Sequence, residues 1–194
     1  MENPKINIRE TTLLSDNHYL LQKVTFDYTT EKGTDTQTRE VYDRGNGATV
    51  LLYNREYGNV VLIRQFRLPT YLNKNETGMM IEACAGLIEE ADPAETVRRE
   101  AIEETGYHIS KVEKAFAAYM SPGAVTEILH CFVAEYTKDM KLSEGGGLAT
   151  EHENIQILEM PFKQALEMVK SGEISDAKTI MLLQYAQINK LLEI

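Results

Sequence analysis

Residues 86–107, GLIEEADPAETVRREAIEETGY, constrain this chain more than any other stretch: they read as a loop entering a capped helix that stacks three carboxylates on one face. Asp92 is a favoured N-cap, Pro93 suits the first helical position and Glu95 completes a D-x-x-E capping box. Gly106 stands where a left-handed C-cap is wanted, so the signals predict a helix from about Pro93 to Thr105. At helical spacing Glu100 shares a face with Glu103 and Glu104, while Val97 and Ala101 supply part of an inward stripe. Like charges so placed repel unless a cation sits among them, and Mg2+ prefers oxygen ligands and shares them with substrate phosphates. Taken alone, an E-x-x-E-E run is more often a solvated acidic face.

The remaining chain narrows the choice. At 194 residues it holds one catalytic domain and a small extra element, and its 43% hydrophobic and 26% charged content is that of an ordinary globular protein. A formal net charge of -10 with no basic patch argues against nucleic acid, and no apolar run approaches the length of a membrane span. MENPKINIRE lacks a basic segment followed by an apolar one, so the cytoplasm is the expected compartment. Cys84 and Cys131 lie in apolar strand-like runs without metal-binding spacing and are expected to be reduced core residues.

Residues 5 to 44 read as an antiparallel meander with strands Lys5 to Arg9, His18 to Thr29 and Thr36 to Asp43, turning at EKGTD. DRGNG at 43–47 is dense in turn residues and marks the expected boundary between a domain of residues 1–44 and one of residues 45–194. ATVLLYN and VVLIRQFR form a predicted buried hairpin, ended by Pro69; a polar loop from Tyr71 to Gly78 then leads into a strand from Met79 to Ala85. Val112 to Tyr119, Ile128 to Tyr136 and Ile155 to Glu159 are further predicted strands, and two amphipathic helices close the chain. Mixed strands around an early helix imply an α+β or α/β/α layering. Residues 138–154 form a long Gly-rich loop, which in a compact domain is either disordered or functional.

Gly86, Arg99, Glu100, Glu103, Glu104 and Gly106 match the Nudix box, G-x5-E-x7-R-E-U-x-E-E-x-G-U, with Ala101 at an aliphatic position. The chain departs from that pattern at Tyr107, where an aliphatic residue is usual, and at position 92, which is Asp and is separated from Arg99 by six residues rather than seven, so Glu89, Glu90 or Asp92 fills the first acidic position. The chain therefore resembles the Nudix hydrolases. REVYDRGNGA, VVLIRQFR, ACAGL, MSPGAVTE and EISDAKT extend the likeness over nearly its whole length to the nucleotide-sugar pyrophosphatase branch, and within it to members that act on GDP-mannose.

The resemblance implies the Nudix α/β/α sandwich with a small N-terminal antiparallel β domain that packs on, and helps complete the site of, the partner in a homodimer. It implies metal ligands at Glu100, Glu104, the Ala85 carbonyl and Glu153, with Glu151 as the second choice for the last, and Mg2+ as the ion, Mn2+ being the alternative. Glu103 joins them as a catalytic carboxylate. Implied substrate contacts are Arg67, Ala85, Gly86, Leu87, Glu104, Glu127, His152, Glu153 and Lys178, with His18, Thr38, Arg39 and Glu40 reaching over from the other chain. The expected reaction is hydrolysis of GDP-mannose to GMP and mannose 1-phosphate, with Glu153 or Glu127 as proton acceptor. ADP-ribose is the alternative substrate, and a non-catalytic nucleotide-sugar sensor is the alternative from another class. Each substrate contact also has an ordinary reading, such as Arg67 as a strand-end charge or Lys178 as a solvated helix residue.

Overall fold

The computed structural model describes residues 2–89, 92–148, 150 and 153–193. The chain divides into two compact units. The first holds a three-stranded antiparallel sheet in the order β1 (Lys5–Ser15), β2 (Leu20–Thr30), β3 (Gly33–Asp43). β1 and β3 run longer than the sequence pattern implies, while β2 starts two residues later, at Leu20; at the β2–β3 turn Thr29 and Thr34 face each other with hydroxyls 2.8 Å apart, and the ladder leaves only Glu31 and Lys32 as the turn. β1 is exposed along nearly its whole length, including Ile6, Ile8 and Leu13. A later segment, Tyr119–Ile128, belongs to this unit and not to its sequence neighbours. Tyr42 donates its N–H to the Ala124 carbonyl at 2.8 Å and accepts from Thr126 at 3.1 Å, which ties that segment to the end of β3.

The second unit is built on a seven-stranded mixed sheet whose main order is β10 (Gln156–Pro161), β5 (Asn59–Phe66), β4 (Gly47–Asn54), β9 (Ile128–Glu135), β8 (Glu113–Tyr119). β4 is buried at every residue, as an apolar strand covered on both faces must be. Ala48, Val50, Leu52, Val61, Phe132 and Ala134 form one core cluster with Val97 and Ala101 of the acidic helix. Leu51 and Leu62, on alternate positions, are fully buried outside that cluster, and helices α3 (Phe162–Ser171) and α4 (Ala177–Ile188) pack against β10, β5 and β4. The result is an α/β/α sandwich.

β4 and β5 pair only at their turn end, from Leu52↔Val61 to Asn54↔Asn59, and then splay apart. The mouth is filled by the predicted Met79 to Ala85 strand, which is bent: β6 (Met79–Glu82) pairs with β5, and β7 (Cys84–Leu87) pairs with β4. Ala83, at the bend, belongs to neither ladder. The predicted loop after Pro69 begins instead as a short helix, α1 (Leu68–Leu72), because Pro69 sits in its first turn and Thr70 and Tyr71 donate backbone N–H groups to the Arg67 carbonyl. Among the described residues no helix is long and apolar enough to cross a membrane.

Candidate functional site

The acidic helix starts as its sequence predicts. The Asp92 carboxylate accepts the Ala94 N–H at 2.8 Å and α2 runs over Pro93–Glu100. It does not continue as α-helix: Ala101–Thr105 is a π turn, ended by Gly106 in the left-handed conformation at φ 80°. The wider turn is capped from outside. The Glu104 and Glu103 carbonyls accept N–H groups of Gly146 and Gly147 at 2.9 and 3.0 Å, and the Gly106 carbonyl accepts that of Leu142 at 2.8 Å. The glycine-rich part of the predicted long loop is thus the C-terminal cap of the acidic helix, closing off carbonyls that would otherwise lack partners.

This framework gathers the carboxylates. A Cβ on Gly86 would collide with the Glu100 carboxylate, so glycine is what leaves that carboxylate room to stand against β7. Arg99 spans Glu100 and Glu103, at 2.8 and 3.1 Å. Glu104 is 1% exposed and accepts the Ala85 N–H at 3.1 Å. Burial pushes its carboxyl up to about 8, and the charges of Glu100 and Glu153 push the same way against hydrogen bonds from Cys84 and Ala85. Glu153 itself accepts the Leu148 N–H at 3.1 Å. Among the described residues no three His, Cys, Asp or Glu side chains are arranged to hold a metal ion as they stand. The donor chemistry nevertheless fits a hard divalent cation: these are oxygen ligands close enough to strain one another, and a positive ion relieves that strain.

On the other side of the bend lies a balanced cluster. Glu82, with its side chain 4% exposed, takes Arg67 in a fork, Nε to Oε1 at 2.8 Å and Nη2 to Oε2 at 3.0 Å. Lys178 Nζ lies 2.5 Å from Glu82 Oε2 and 3.1 Å from Asp176 Oδ1. Asp176 caps α4, its Oδ2 accepting the Thr179 N–H at 3.0 Å and the Thr179 hydroxyl at 2.6 Å. The Thr179 oxygen accepts the Ala83 N–H at 2.6 Å, which satisfies the donor left over where the strand bends. Burial alone would raise the Glu82 carboxyl, but Lys178 and Arg67 outweigh it and hold it at about 2. Burial likewise opposes the charge on Arg67 and Lys178, but the carboxylates around them, Glu82 first and Asp176 with it, together outweigh burial and leave both more basic than usual.

Glu82, Asp176 and Thr179 were not among the residues the sequence pointed to. Two signals were there: a lone carboxylate inside the apolar run MMIEACAG, and D-x-x-T spacing at the start of a helix.

The other predicted contacts lie on the N-terminal unit, at the end of the bent strand or on the glycine-rich loop. Thr38, Arg39 and Glu40 are exposed on β3. Arg39 and Glu40 line a groove of about 510 Å³ with Val41 and residues 122–126, and the Arg39 guanidinium donates to the Thr38 carbonyl at 2.8 Å. His18 packs beside Tyr19, with ring centroids 4.3 Å apart, Arg44 lies over the Tyr19 ring, and Glu127 sits 3.7 Å from Arg44. Leu87 ends β7. His152 and the alternative ligand Glu151 lie outside the described residues, as does Glu90. Of the other candidates for the first acidic position, Asp92 is engaged as the helix cap and Glu89 is exposed.

Residues 5–42 match the family described as the GDP-mannose pyrophosphatase NudK N-terminal domain, and residues 43–183 match the NUDIX domain. The chain is similar to a GDP-mannose pyrophosphatase of Yersinia pestis (strain Pestoides F), 57% identical over 186 residues that span 95% of this chain and 93% of the relative. It is also similar to proteins of the same description from Yersinia enterocolitica serotype O:8 / biotype 1B, 56% identical over 96% of this chain and 97% of the relative, and Shigella flexneri serotype 5b, 51% identical over 97% and 98%. A crystal structure described as an ADP compounds hydrolase shares the fold, with a TM-score of 0.72 at 17% identity over 96% of this chain and 94% of that one.

Proposed function

The chain belongs to the Nudix family and is a pyrophosphatase hydrolase, and from that premise we propose that it splits GDP-mannose with water into GMP and mannose 1-phosphate. The observation that carries this reading is the pairing of two charged clusters across the bend at Ala83: crowded carboxylates beside Ala85 and Gly86, and the cations Arg67 and Lys178 around Glu82. An anionic diphosphate needs both halves, one to recruit a metal and one to hold its oxygens.

Nudix hydrolases use divalent metal ions, and we assign Mg2+, with Mn2+ as a substitute, to the Ala85 carbonyl, Glu100, Glu104 and Glu153. When bound, such an ion neutralises the diphosphate and lowers the pKa of an attacking water. The chain's own residues do the rest. Arg99 keeps Glu100 and Glu103 turned toward each other. Arg67 and Lys178 keep N–H donors beyond those that Glu82 and Asp176 engage and offer them to phosphate oxygens. Gly86 and Leu87 line the path of the substrate past the helix. Glu153 or Glu127 is assigned the water's proton, and His152 is assigned a substrate contact. Glu127 is kept as a substrate contact.

We assign His18, Thr38, Arg39 and Glu40 to the substrate of the partner protomer in a homodimer. The exposed apolar residues of β1 support an N-terminal domain, residues 1–44, that packs on a second chain, with residues 45–194 as the hydrolase domain. Cys84 and Cys131 are buried free thiols, which supports a reducing compartment, the cytoplasm. The test is a panel of nucleotide sugars with Mg2+, read as phosphomonoester released. GDP-mannose should turn over fastest. Preference for ADP-ribose would overturn the substrate, and binding without release would make the protein a sensor.

A further inference from the structure

We infer that Glu82, braced by Asp176 and Thr179, is a positioning residue that presents Arg67 and Lys178 together to the substrate diphosphate. The inference rests on the reading of those two cations as diphosphate contacts and adds the device that aims them.

Two cations that serve one diphosphate must stand close together, where they repel, and both side chains are long and free to wander. Glu82 answers both difficulties. Its fork fixes the plane of the Arg67 guanidinium, and the same carboxylate draws in Lys178 Nζ. Lys178 is held from the other side by Asp176, whose second oxygen accepts from Thr179, whose hydroxyl oxygen in turn accepts the N–H of Ala83, the residue next to Glu82. The contacts therefore close a ring: Glu82, Lys178, Asp176, Thr179, Ala83 and back to Glu82 through the chain. In a closed ring no member shifts alone. The ring is also anchored to the acidic half, because Ala85, two residues past Ala83, donates its N–H to Glu104.

The ring leaves donors for a ligand. Glu82 takes two of the five N–H donors of the Arg67 guanidinium, and Glu82 and Asp176 engage Lys178 from two directions. The Arg67 side chain is 42% exposed, whereas Lys178 and Glu82 are 12% and 4% exposed. Arg67 thus faces outward from a support that is itself buried. A buried ion pair kept only for stability has no need of this arrangement, since apolar residues of similar size commonly do as well.

The test is a set of kinetic cycles on the full chain with GDP-mannose and Mg2+, beside melting curves. Glu82→Gln, which keeps shape and loses charge, should lower kcat/KM by about a hundredfold, the scale of a reactive group displaced by about an ångström. In a background carrying both Arg67→Gln and Lys178→Met, the same change should lower it by less than about threefold, because a residue that acts through those cations has nothing left to position. Equal losses in both backgrounds, or a folded Glu82→Gln protein with full activity, would overturn the proposal. Should Glu82→Gln fail to fold, Thr179→Val and Thr179→Ser carry the same question: valine should lower kcat/KM and serine, which restores the hydroxyl, should recover it. A valine variant that melts lower but keeps its kcat/KM would show the ring to be structural. If Arg67→Gln and Lys178→Met leave kcat and KM unchanged, the assignment of those cations to the diphosphate fails as well, and the positioning role with it.

Discussion

Glu82 and Glu104 are both buried carboxylates, 3% and 1% exposed, standing on either side of the bend at Ala83, yet their surroundings drive them in opposite directions. Glu82 has two cations against it and is held at about 2; Glu104 has Glu100 and Glu153 around it and is pushed up to about 8. Burial penalises both charges alike, so the neighbours decide. The first cluster is electrically finished within the chain, and the second is finished only by a cation from outside. A diphosphate with its metal is complementary to that division.

The largest expected effect breaks the unfinished half. Glu104→Gln keeps size and removes a negative donor, so turnover at saturating Mg2+ should fall by roughly two to four powers of ten, the worth of about 3 to 5 kcal/mol of metal stabilisation. Without metal the Glu104 carboxyl, pushed up to about 8 by burial and its neighbours, is mostly protonated at pH 7, so glutamine replaces a neutral group of the same size and the variant should melt no lower than the wild type. A drop of several degrees in the metal-free melting temperature would erase the contrast with Glu82.

Glu82→Gln should do the reverse to stability, since removing one partner from a buried set of ion pairs leaves charges uncompensated, at about 3 kcal/mol or more. The pH dependence follows from the lowered carboxyl. Its folded value of about 2 lies below the ordinary 4.5, so the stabilisation is complete above pH 4.5 and disappears as pH falls through about 2. At full strength it amounts to about 3 kcal/mol. Urea midpoints of wild type and Glu82→Gln should be well separated at pH 7 and converge toward pH 2. A gap that persists in acid would mean that Glu82 stabilises by packing and not by charge.

What was legible in the sequence divides along the same line. The acidic half announces itself locally: Asp92 caps, Gly106 turns, and the three glutamates lie within five residues of helix. Even there the π turn was invisible, because the residues that make it would form α-helix equally well and its cap comes from Gly146 and Gly147. The balanced half is non-local. Glu82 meets Arg67 across 15 residues and Lys178 across 96, and no spacing rule reaches that far. The bend at Ala83 hides inside a continuous apolar run, MMIEACAGL, whose two ends pair with different strands. Tyr119–Ile128 reads as a simple connection, and only tertiary pairing assigns it to the N-terminal unit.

A smaller effect is expected at Gly86. An added methyl would meet the Glu100 side chain, which is flexible enough to yield, so Gly86→Ala should displace a metal-binding carboxylate while hardly changing the melting temperature. The Mg2+ concentration for half activity should rise about tenfold, the lower range for a disturbed metal shell. Titrating activity against Mg2+ measures it, and an unchanged requirement would place Glu100 outside the metal site.

The smallest effect belongs to Arg99, a cation that bridges Glu100 and Glu103 from within the acidic half. Its side chain is 46% exposed, so the bonds to Glu100 and Glu103 are screened by solvent, and Arg99→Gln should lower stability by less than about 1 kcal/mol. The informative quantity is how that loss changes with metal. Without a divalent ion Arg99 is what offsets the repulsion between Glu100 and Glu103; with one bound, the ion supplies the same compensation from the other side of the carboxylates. The difference in unfolding free energy between wild type and variant should therefore be larger in chelator than in excess Mg2+, and should shrink with added salt in chelator alone. A difference that grows when Mg2+ is added would mean that Arg99 and the ion act together on the carboxylates instead of in place of each other, and the acidic half would then be less unfinished than its contrast with Glu82 implies.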